Sequence, residues 1–356
     1  MANFFNSVHI TNFKSLKSVT LSDCKRINVL IGKPNVGKSN ILEAIGLFSL
    51  PYFKYNKSKK ITQFVRLENL AELFFDGNIE EKISIHTDDD SFCVITYLER
   101  SESRVESLIN IKIDLKQNSS PGSLFHVPIP NMCVDNKFNI FFPSAQVRAK
   151  SYRPLKVKYY KFPSDFISKK QAIGLSYLIP PVGVNLFEAI QESKIDKEIA
   201  KIFAEYGLKL LFDKTNNTLR IMKALKDDNA MVSFPYSSIA DTLQRIIFFK
   251  TAIASNKNSI LLFEEPEAHC FPPYIAHITQ EVINAETNQF FIATHSPYVL
   301  NDFMEDKETR AELAIYMADF QDGQTVVYRL SDEELNEVYN YGIDVFFNYE
   351  RFTAHG

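Results

Sequence analysis

Glycine is scarce in this sequence: 11 of 356 residues, where an average composition of roughly 7% would supply about twenty-five. Two of them, Gly32 and Gly37, nevertheless share one eight-residue window. Tryptophan is absent, so the aromatic content rests on 30 Phe and 16 Tyr. The four cysteines, Cys24, Cys93, Cys133 and Cys270, lie too far apart for a short-spaced zinc or CxxC redox site and fit reduced, packed thiols. Neither sign of charge dominates. Forty Lys and Arg against 43 Asp and Glu give a net charge of −3, which excludes a globally basic protein that coats nucleic acid by bulk electrostatics and leaves room for a local basic groove. No apolar run approaches the 18 or so residues that span a bilayer, and the first residues lack a basic region followed by an apolar stretch. The chain reads as a cytoplasmic protein with no membrane partner. Internal repeats, sustained heptads and low-complexity tracts are missing too.

What is present is a globular composition, 45% apolar and 23% charged, with a length that suggests two or three structural units. Val8–Phe13 and Lys17–Leu21 alternate like paired strands, and Ile27–Ile31 is a short apolar run suited to a buried strand. After the glycine window, Ile41, Leu42, Ile45 and Phe48 recur at helical spacing. From Lys54 to Phe162 several β-like runs follow, with Gln117–Gly122 as a turn, and then a helical middle ending before Gly207. The last third alternates: a hairpin around Asn216–Asn217, a helix over Asp241–Ala254, a strand Ser259–Phe263, a helix, and a strand Gln289–Thr294. Strands alternating with helices predict a parallel sheet covered on its faces.

The glycine window, Gly32-Lys-Pro-Asn-Val-Gly-Lys-Ser39, matches G-x-x-x-x-G-K-[ST] between a strand and a helix, the context that gives the match meaning. Glycines let successive amides turn inward as an anion nest, and the following helix adds its positive N-terminus. The nucleotide contacts expected are Gly32, Lys33, Pro34, Asn35, Val36, Gly37, Lys38, Ser39 and Asn40, with Lys38 reaching the β and γ phosphates and Ser39 ligating Mg²⁺. The same string resembles the first motif of Era-like GTPases. Those proteins need a downstream Asp-x-x-Gly and a guanine-reading Asn-Lys-x-Asp. No later glycine has Asp three residues before it, and the nearest guanine-like string is Ser193-Lys-Ile-Asp196, in a helical context. ATP is therefore the expected nucleotide.

A second motif, Ser259-Ile-Leu-Leu-Phe-Glu-Glu-Pro-Glu-Ala-His269, is an apolar strand ending in carboxylates, as a Walker B element requires. Glu264 is expected to support Mg²⁺ and Glu265 to polarise the attacking water as general base. A third apolar strand ends in Thr294-His295-Ser-Pro297, which places His295 to touch the γ-phosphate.

In this order GKPNVGKS, FEEPEAH and ATHSP resemble the ABC-type ATPase heads of the overcoming-lysogenization-defect (OLD) and RecF-like group, relatives of the chromosome-maintenance and double-strand-break-repair ATPases. Ile10-Thr-Asn-Phe-Lys-Ser-Leu16 and Tyr177–Leu186 resemble that group as well. The resemblance implies an α/β fold: an ABC-type P-loop ATPase head with a mixed β-sheet, an antiparallel β lobe and a helical subdomain. It divides the chain into a core (1–50 and 207–330), a β-rich insertion (51–165), a helical subdomain (166–206) and a C-terminal tail (331–356). It also implies that two heads sandwich two nucleotides, each completed by a signature segment of the other copy. Tyr236–Arg245 takes that place, with Ser237 and Ser238 either donating across the dimer or capping the following helix. The Ser-Gly-Gly of the wider family is missing there, which puts the speed of hydrolysis in question. Gln63 and Gln146 are the candidates for the Q-loop glutamine. Between Ser39 and Ser237 no heptads sustain a coiled-coil arm, and 61 residues after His295 are too few for the TOPRIM nuclease of full-length OLD proteins.

The expected function is an ATP-hydrolysing switch that dimerises, or forms a higher oligomer, and acts on a separately encoded effector protein or on DNA or RNA. Anti-phage defence is the implied setting, with RecF-like repair or a slow, non-hydrolysing scaffold as alternatives. Arg148–Lys161, with six basic residues, no acidic ones and three tyrosines, is either a nucleic-acid contact or a solvated strand with Lys156 and Lys158 on one face.

Overall fold

The computed structural model describes residues 4–98, 107–118, 124–127, 129–143, 154–163, 174–213, 215, 218–225 and 230–353. The chain opens with β1 (Val8–Phe13), β2 (Leu16–Leu21), β3 (Ile27–Ile31) and α1 (Lys38–Gly46). After four short 3-10 turns come β4 (Ile83–Thr87), β5 (Phe92–Tyr97), β6 (Ser107–Asn118), β7 (Leu124–Val127), β8 (Met132–Asp135), β9 (Ile140–Phe141) and β10 (Val157–Tyr160). The middle holds α2 (Leu186–Ser193), α3 (Asp196–Ala204), β11 (Leu208–Asp213), β12 (Thr218–Ala224) and β13 (Met231–Pro235). Then follow α4 (Asp241–Ala254), β14 (Ile260–Glu264), α5 (Pro272–Asn284), β15 (Gln289–Ala293), α6 (Pro297–Glu305), α7 (Lys307–Ala311), β16 (Leu313–Gln321), β17 (Gln324–Arg329), α8 (Asp332–Tyr341) and α9 (Tyr349–Thr353).

Three sheets organise these elements. The central one has the order β10-β14-β15-β3-β16-β17, parallel except for the edge strand β17. Its inner strands are mostly apolar because helices cover one face and an antiparallel sheet the other; β3 and β15 are buried at every position. The antiparallel sheet runs β2-β1-β4-β5-β6-β8-β9, with β7 paired to β6. Between these two sheets lies one core, with Ile10, Phe13, Leu42, Phe48 and Ile85. On the opposite face α2, α4, α5 and α6 bury Ile190, Phe248, Ile278 and Phe303 against Val29, Phe263 and Ile315. The third sheet, β11-β12-β13, stands beside α3.

The strand–loop–helix start, the antiparallel lobe, the helix over Asp241–Ala254 and both later strands stand where the sequence puts them. The two runs flanking Asn216–Asn217 do pair antiparallel; that turn, most of Gln117–Gly122 and Gln146 lie outside the described residues. Two segments sit elsewhere than expected. Residues 157–160, grouped by sequence with the β-rich insertion, form β10 and pair in parallel with the Walker B-like strand β14. Residues 332–353, read as a tail, form α8 and α9 and pack on the core through Leu335, Val338, Tyr349 and Phe352. Phe48 is buried as its spacing suggests, but in a 3-10 turn (Leu47–Tyr55), because α1 ends at Gly46, where a Cβ would stand 2.5 Å from the Tyr159 ring.

Candidate functional site

The loop between β3 and α1 is shaped by its glycines. Gly37 has φ +99°, a left-handed conformation that L side chains rarely adopt, and an added Cβ would run into Thr325 Oγ1 and stand 2.9 Å from Ser15 Oγ. At Gly32 a Cβ would run into the backbone oxygen of Ala318. Lys33, Pro34 and Asn35 form an exposed crown, whereas Val36, Gly37 and Lys38 are buried. The Lys38 ammonium donates to the carbonyls of Gly32 and Lys33, both at 2.8 Å. Burial pushes its pKa down to about 8, partly offset by Glu265 and Glu264. Asn40 donates through Nδ2 to Ser15 Oγ at 2.7 Å, which ties α1 to the β1–β2 turn.

Parallel pairing of β14, β15 and β3 brings the ends of the three motif strands to the same edge, at the crevice where α/β sheets bind ligands. Glu264, the last residue of β14, meets the Arg66 guanidinium and accepts from the Tyr159 phenol at 3.2 Å. Burial would raise its pKa, but the Ser39 hydroxyl and the charges of Arg66 and Lys161 outweigh that and hold the carboxylate ionised. Glu265 has φ 43°, and this turn sends it away from Glu264. Its Oε1 stands 3.6 Å from His295 Nε2, and both side chains are half-exposed. Burial, then Lys38, lowers the His295 pKa against the pull of Glu265, so the ring is neutral at pH 7.

Several members of this constellation carry no motif. Glu43 of α1 is buried and gathers Lys14, Lys161 at 3.3 Å and the Arg66 amide at 3.1 Å, so that a charge network runs from Lys14 through Glu43 and Arg66 to Glu264. Glu267, within the acidic motif but given no role there, accepts from the Thr294 hydroxyl and, at 3.2 Å, from the His295 amide. Burial raises its pKa, and this clasp fixes the turn that carries His295. A third carboxylate two residues beyond a glutamate pair was the only sequence signal for it.

Other expectations need correction. Ser237 and Ser238 are exposed in a 3-10 turn, and the N-cap of α4 is Ala240, with no side-chain cap, so neither serine is the N-cap. Thr242 instead bonds the His269 carbonyl at 2.8 Å, joining this segment to the loop after β14. The basic segment turns inward. Arg148, Lys150 and Arg153 lie outside the described residues, but Lys156 pairs with Asp89 over the Phe5 ring, Lys158 donates to Ser259 Oγ at 3.0 Å, and Lys161 serves Glu43. Lys156 and Lys158 are each 3% exposed, which makes them neither a nucleic-acid contact nor a solvated face. Gln63 ends a 3-10 turn, with a buried Oε1 that has no hydrogen-bond partner.

A strand, a glycine loop and a helix beside paired carboxylates at the end of a parallel strand define a P-loop nucleoside triphosphatase. Comparison with known proteins places the chain further: the AAA ATPase domain model matches residues 4–229, and the chain belongs to that family. It is a P-loop ATPase. A second AAA domain model, whose description links it to the AbiEii toxin and type IV toxin–antitoxin systems, matches residues 164–301. An ATP/GTP phosphatase of Helicobacter pylori is 22% identical over 94% of this chain and 97% of its own length. An uncharacterized protein of Methanocaldococcus jannaschii is 26% identical over 33% of this chain, which spans 56% of that protein. The replication and repair protein RecF of Clostridioides difficile is 32% identical over 21% of this chain and 19% of its own. Among solved structures, an Smc head bound to the C-terminal winged-helix domain of ScpA superposes with a TM-score of 0.52 at 13% identity, covering 94% of this chain and 99% of that one. A second Smc head, with an extended coiled coil and bound to the C-terminal domain of Pyrococcus furiosus ScpA, gives 0.51 at 13%, covering 95% and 99%. These likenesses fix the fold as that of an ABC-like ATPase head. Among the described residues no helix is long and apolar enough to cross a membrane.

Proposed function

We propose that the chain binds ATP with Mg²⁺ on the loop from Gly32 to Asn40 and hydrolyses it as a switch. The observation that carries this reading is the parallel pairing of β14, β15 and β3, which brings Glu264, Glu265 and His295 to the sheet edge from which the glycine loop leaves β3. Ser39 and Glu264 supply hard oxygen donors suited to Mg²⁺. Bound Mg²⁺ neutralises phosphate charge. Lys38 exchanges its two loop carbonyls for phosphate oxygens, Glu265 holds the attacking water, and neutral His295 donates to the γ-phosphate.

In the same reading ATP pairs two copies, with the exposed Ser237 and Ser238 of one facing the nucleotide of the other. The paired state engages an effector protein or a nucleic-acid complex. The setting we propose is anti-phage defence or a toxin–antitoxin-like system; the description of the second matching AAA model names a type IV toxin–antitoxin system. The test is the Glu265→Gln protein with ATP and Mg²⁺: it should retain nucleotide, lose turnover and run as a dimer by mass measurement. A persistent monomer with ATP bound refutes the pairing, and undiminished hydrolysis refutes the role of Glu265.

A further inference from the structure

We propose that the groove between α6 and α8 is a docking site for a basic amphipathic helix of a partner protein. The apolar side chains of that helix enter the groove, and its lysines and arginines meet the carboxylates and aromatic rings around it. The inference goes beyond the nucleotide reading and stands without it, since no residue of the phosphate loop takes part.

The groove has a volume of about 350 Å³, with Leu300 and Met304 of α6, Val338 of α8 and Ile343 beyond it among its apolar lining. Large rings on the same elements lie open to solvent. Tyr298 and Tyr339 are exposed, and Tyr341 and Phe347, at the end of α8 and in the segment after it, are 78% and 91% exposed. An apolar cleft bordered by open aromatic rings and polar groups is the mark of an interaction surface, and rings of this kind anchor interfaces. A cleft between two helices suits an amphipathic helix laid along it.

Charge selects the partner. Residues 297–353 hold thirteen Asp and Glu against four Lys and Arg, a net −9 within a chain of net −3. Glu305 and Asp344 line the groove itself, and α8 ends beside it at Tyr341, adding the negative pole of a helix. The fold already seats one cation at this border. The Arg310 guanidinium lies 3.6 Å from the centre of the Tyr339 ring and donates to the Met304 carbonyl at 2.6 Å. An incoming arginine or lysine finds the same two kinds of contact, a ring face and a helix-end carbonyl. A second copy docking through this face would set acid against acid, and nucleic acid would be repelled. Because α6 begins at Pro297, two residues after His295, the bound helix rests on the element that leads away from the nucleotide site.

The test uses the full chain, without nucleotide, and a fluorescein-labelled peptide of about 15 residues, with leucines at i, i+3, i+4 and i+7 and lysines elsewhere, read by fluorescence anisotropy. Two control peptides carry glutamate for lysine or serine for leucine. The basic amphipathic peptide should bind with a Kd on the order of 10 μM in low salt and weaken as salt rises. A protein carrying both Tyr341→Ser and Phe347→Ser should bind it at least about tenfold more weakly, and Glu305→Lys about three- to tenfold more weakly. All three side chains are exposed, so both variants should keep the wild-type melting midpoint. Neither control peptide should bind. The proposal is overturned if the basic peptide does not bind at about 1 mM, if either control peptide binds as tightly, or if either folded variant keeps full affinity. It is equally overturned if the wild type is a dimer by mass that the double variant splits, since a second copy is then the occupant. Should the double variant fail to fold, Glu305→Lys decides alone. With ATP absent throughout, failure here leaves the nucleotide reading untouched.

Discussion

Lys158 offers the sharpest physical test of how this fold is assembled. Its ammonium is buried beside the Walker B-like strand, with the Ser259 hydroxyl at 3.0 Å and the Tyr177 ring at 4.7 Å. Burial pushes its pKa down to about 7. The unfolded lysine holds its proton up to about 10.4, so folding at pH 7 costs on the order of 4 kcal/mol at this position, from about 1.4 kcal/mol per pH unit of displacement. Lys158→Met keeps the apolar stem and removes the charge, and Ser259 keeps its bond to the Lys257 carbonyl at 3.0 Å. The substitution should therefore stabilise the protein by about 1–4 kcal/mol at pH 7, the range found when buried charge is exchanged for apolar volume. The sign of the pH dependence follows from the lowered pKa. Between about pH 7 and 10 the unfolded chain holds a proton that the folded one has released, so the wild type gains stability with rising pH. The advantage of Lys158→Met must then shrink by about 3 kcal/mol between pH 7 and 9.5. Urea denaturation of both proteins at pH 7 and 9.5 measures it. A destabilised variant, or a gap that does not narrow, refutes the burial argument and reopens the basic segment as a surface.

Three further substitutions probe the site's supports. Gly37→Ala should abolish ATP binding in calorimetry, because the methyl group needs φ +99° and the space of Thr325 Oγ1. Glu43→Gln should cost about 3–5 kcal/mol in urea denaturation, since it leaves Lys14, Lys161 and Arg66 around an uncharged group. Glu267→Gln should fold with stability within about 1 kcal/mol of wild type, as its amide oxygen still accepts from Thr294 and His295; Glu267→Ala should lose roughly 2 kcal/mol and turn over ATP more slowly.

The sequence made the motif strands legible because each carries its own local pattern: an apolar run that ends in glycine, carboxylates or histidine. Parallel pairing then had one sensible outcome, with all three ends at the same edge. What could not be read was long-range and polar. Lys161 and Glu43 are 118 positions apart, and Arg66 and Glu264 are 198 apart; such pairs leave no period. The basic run deceived for a related reason. Six cations in one segment resemble a surface, yet three of their partners, Asp89, Ser259 and Glu43, come from other elements and draw them inside. Tyr349 was invisible in the same way, as one of six aromatic residues in the segment read as a tail, until the fold set it against Ala318.

The central claim is that Gly32–Asn40 is an ATP site whose turnover depends on the end of β14. The most direct measurement is ATP affinity and phosphate release for wild type, Lys38→Ala and Glu265→Gln side by side. The account predicts binding and hydrolysis in the wild type, loss of both in a folded Lys38→Ala, and tight binding without turnover in Glu265→Gln. Unchanged ATP affinity in Lys38→Ala would contradict it.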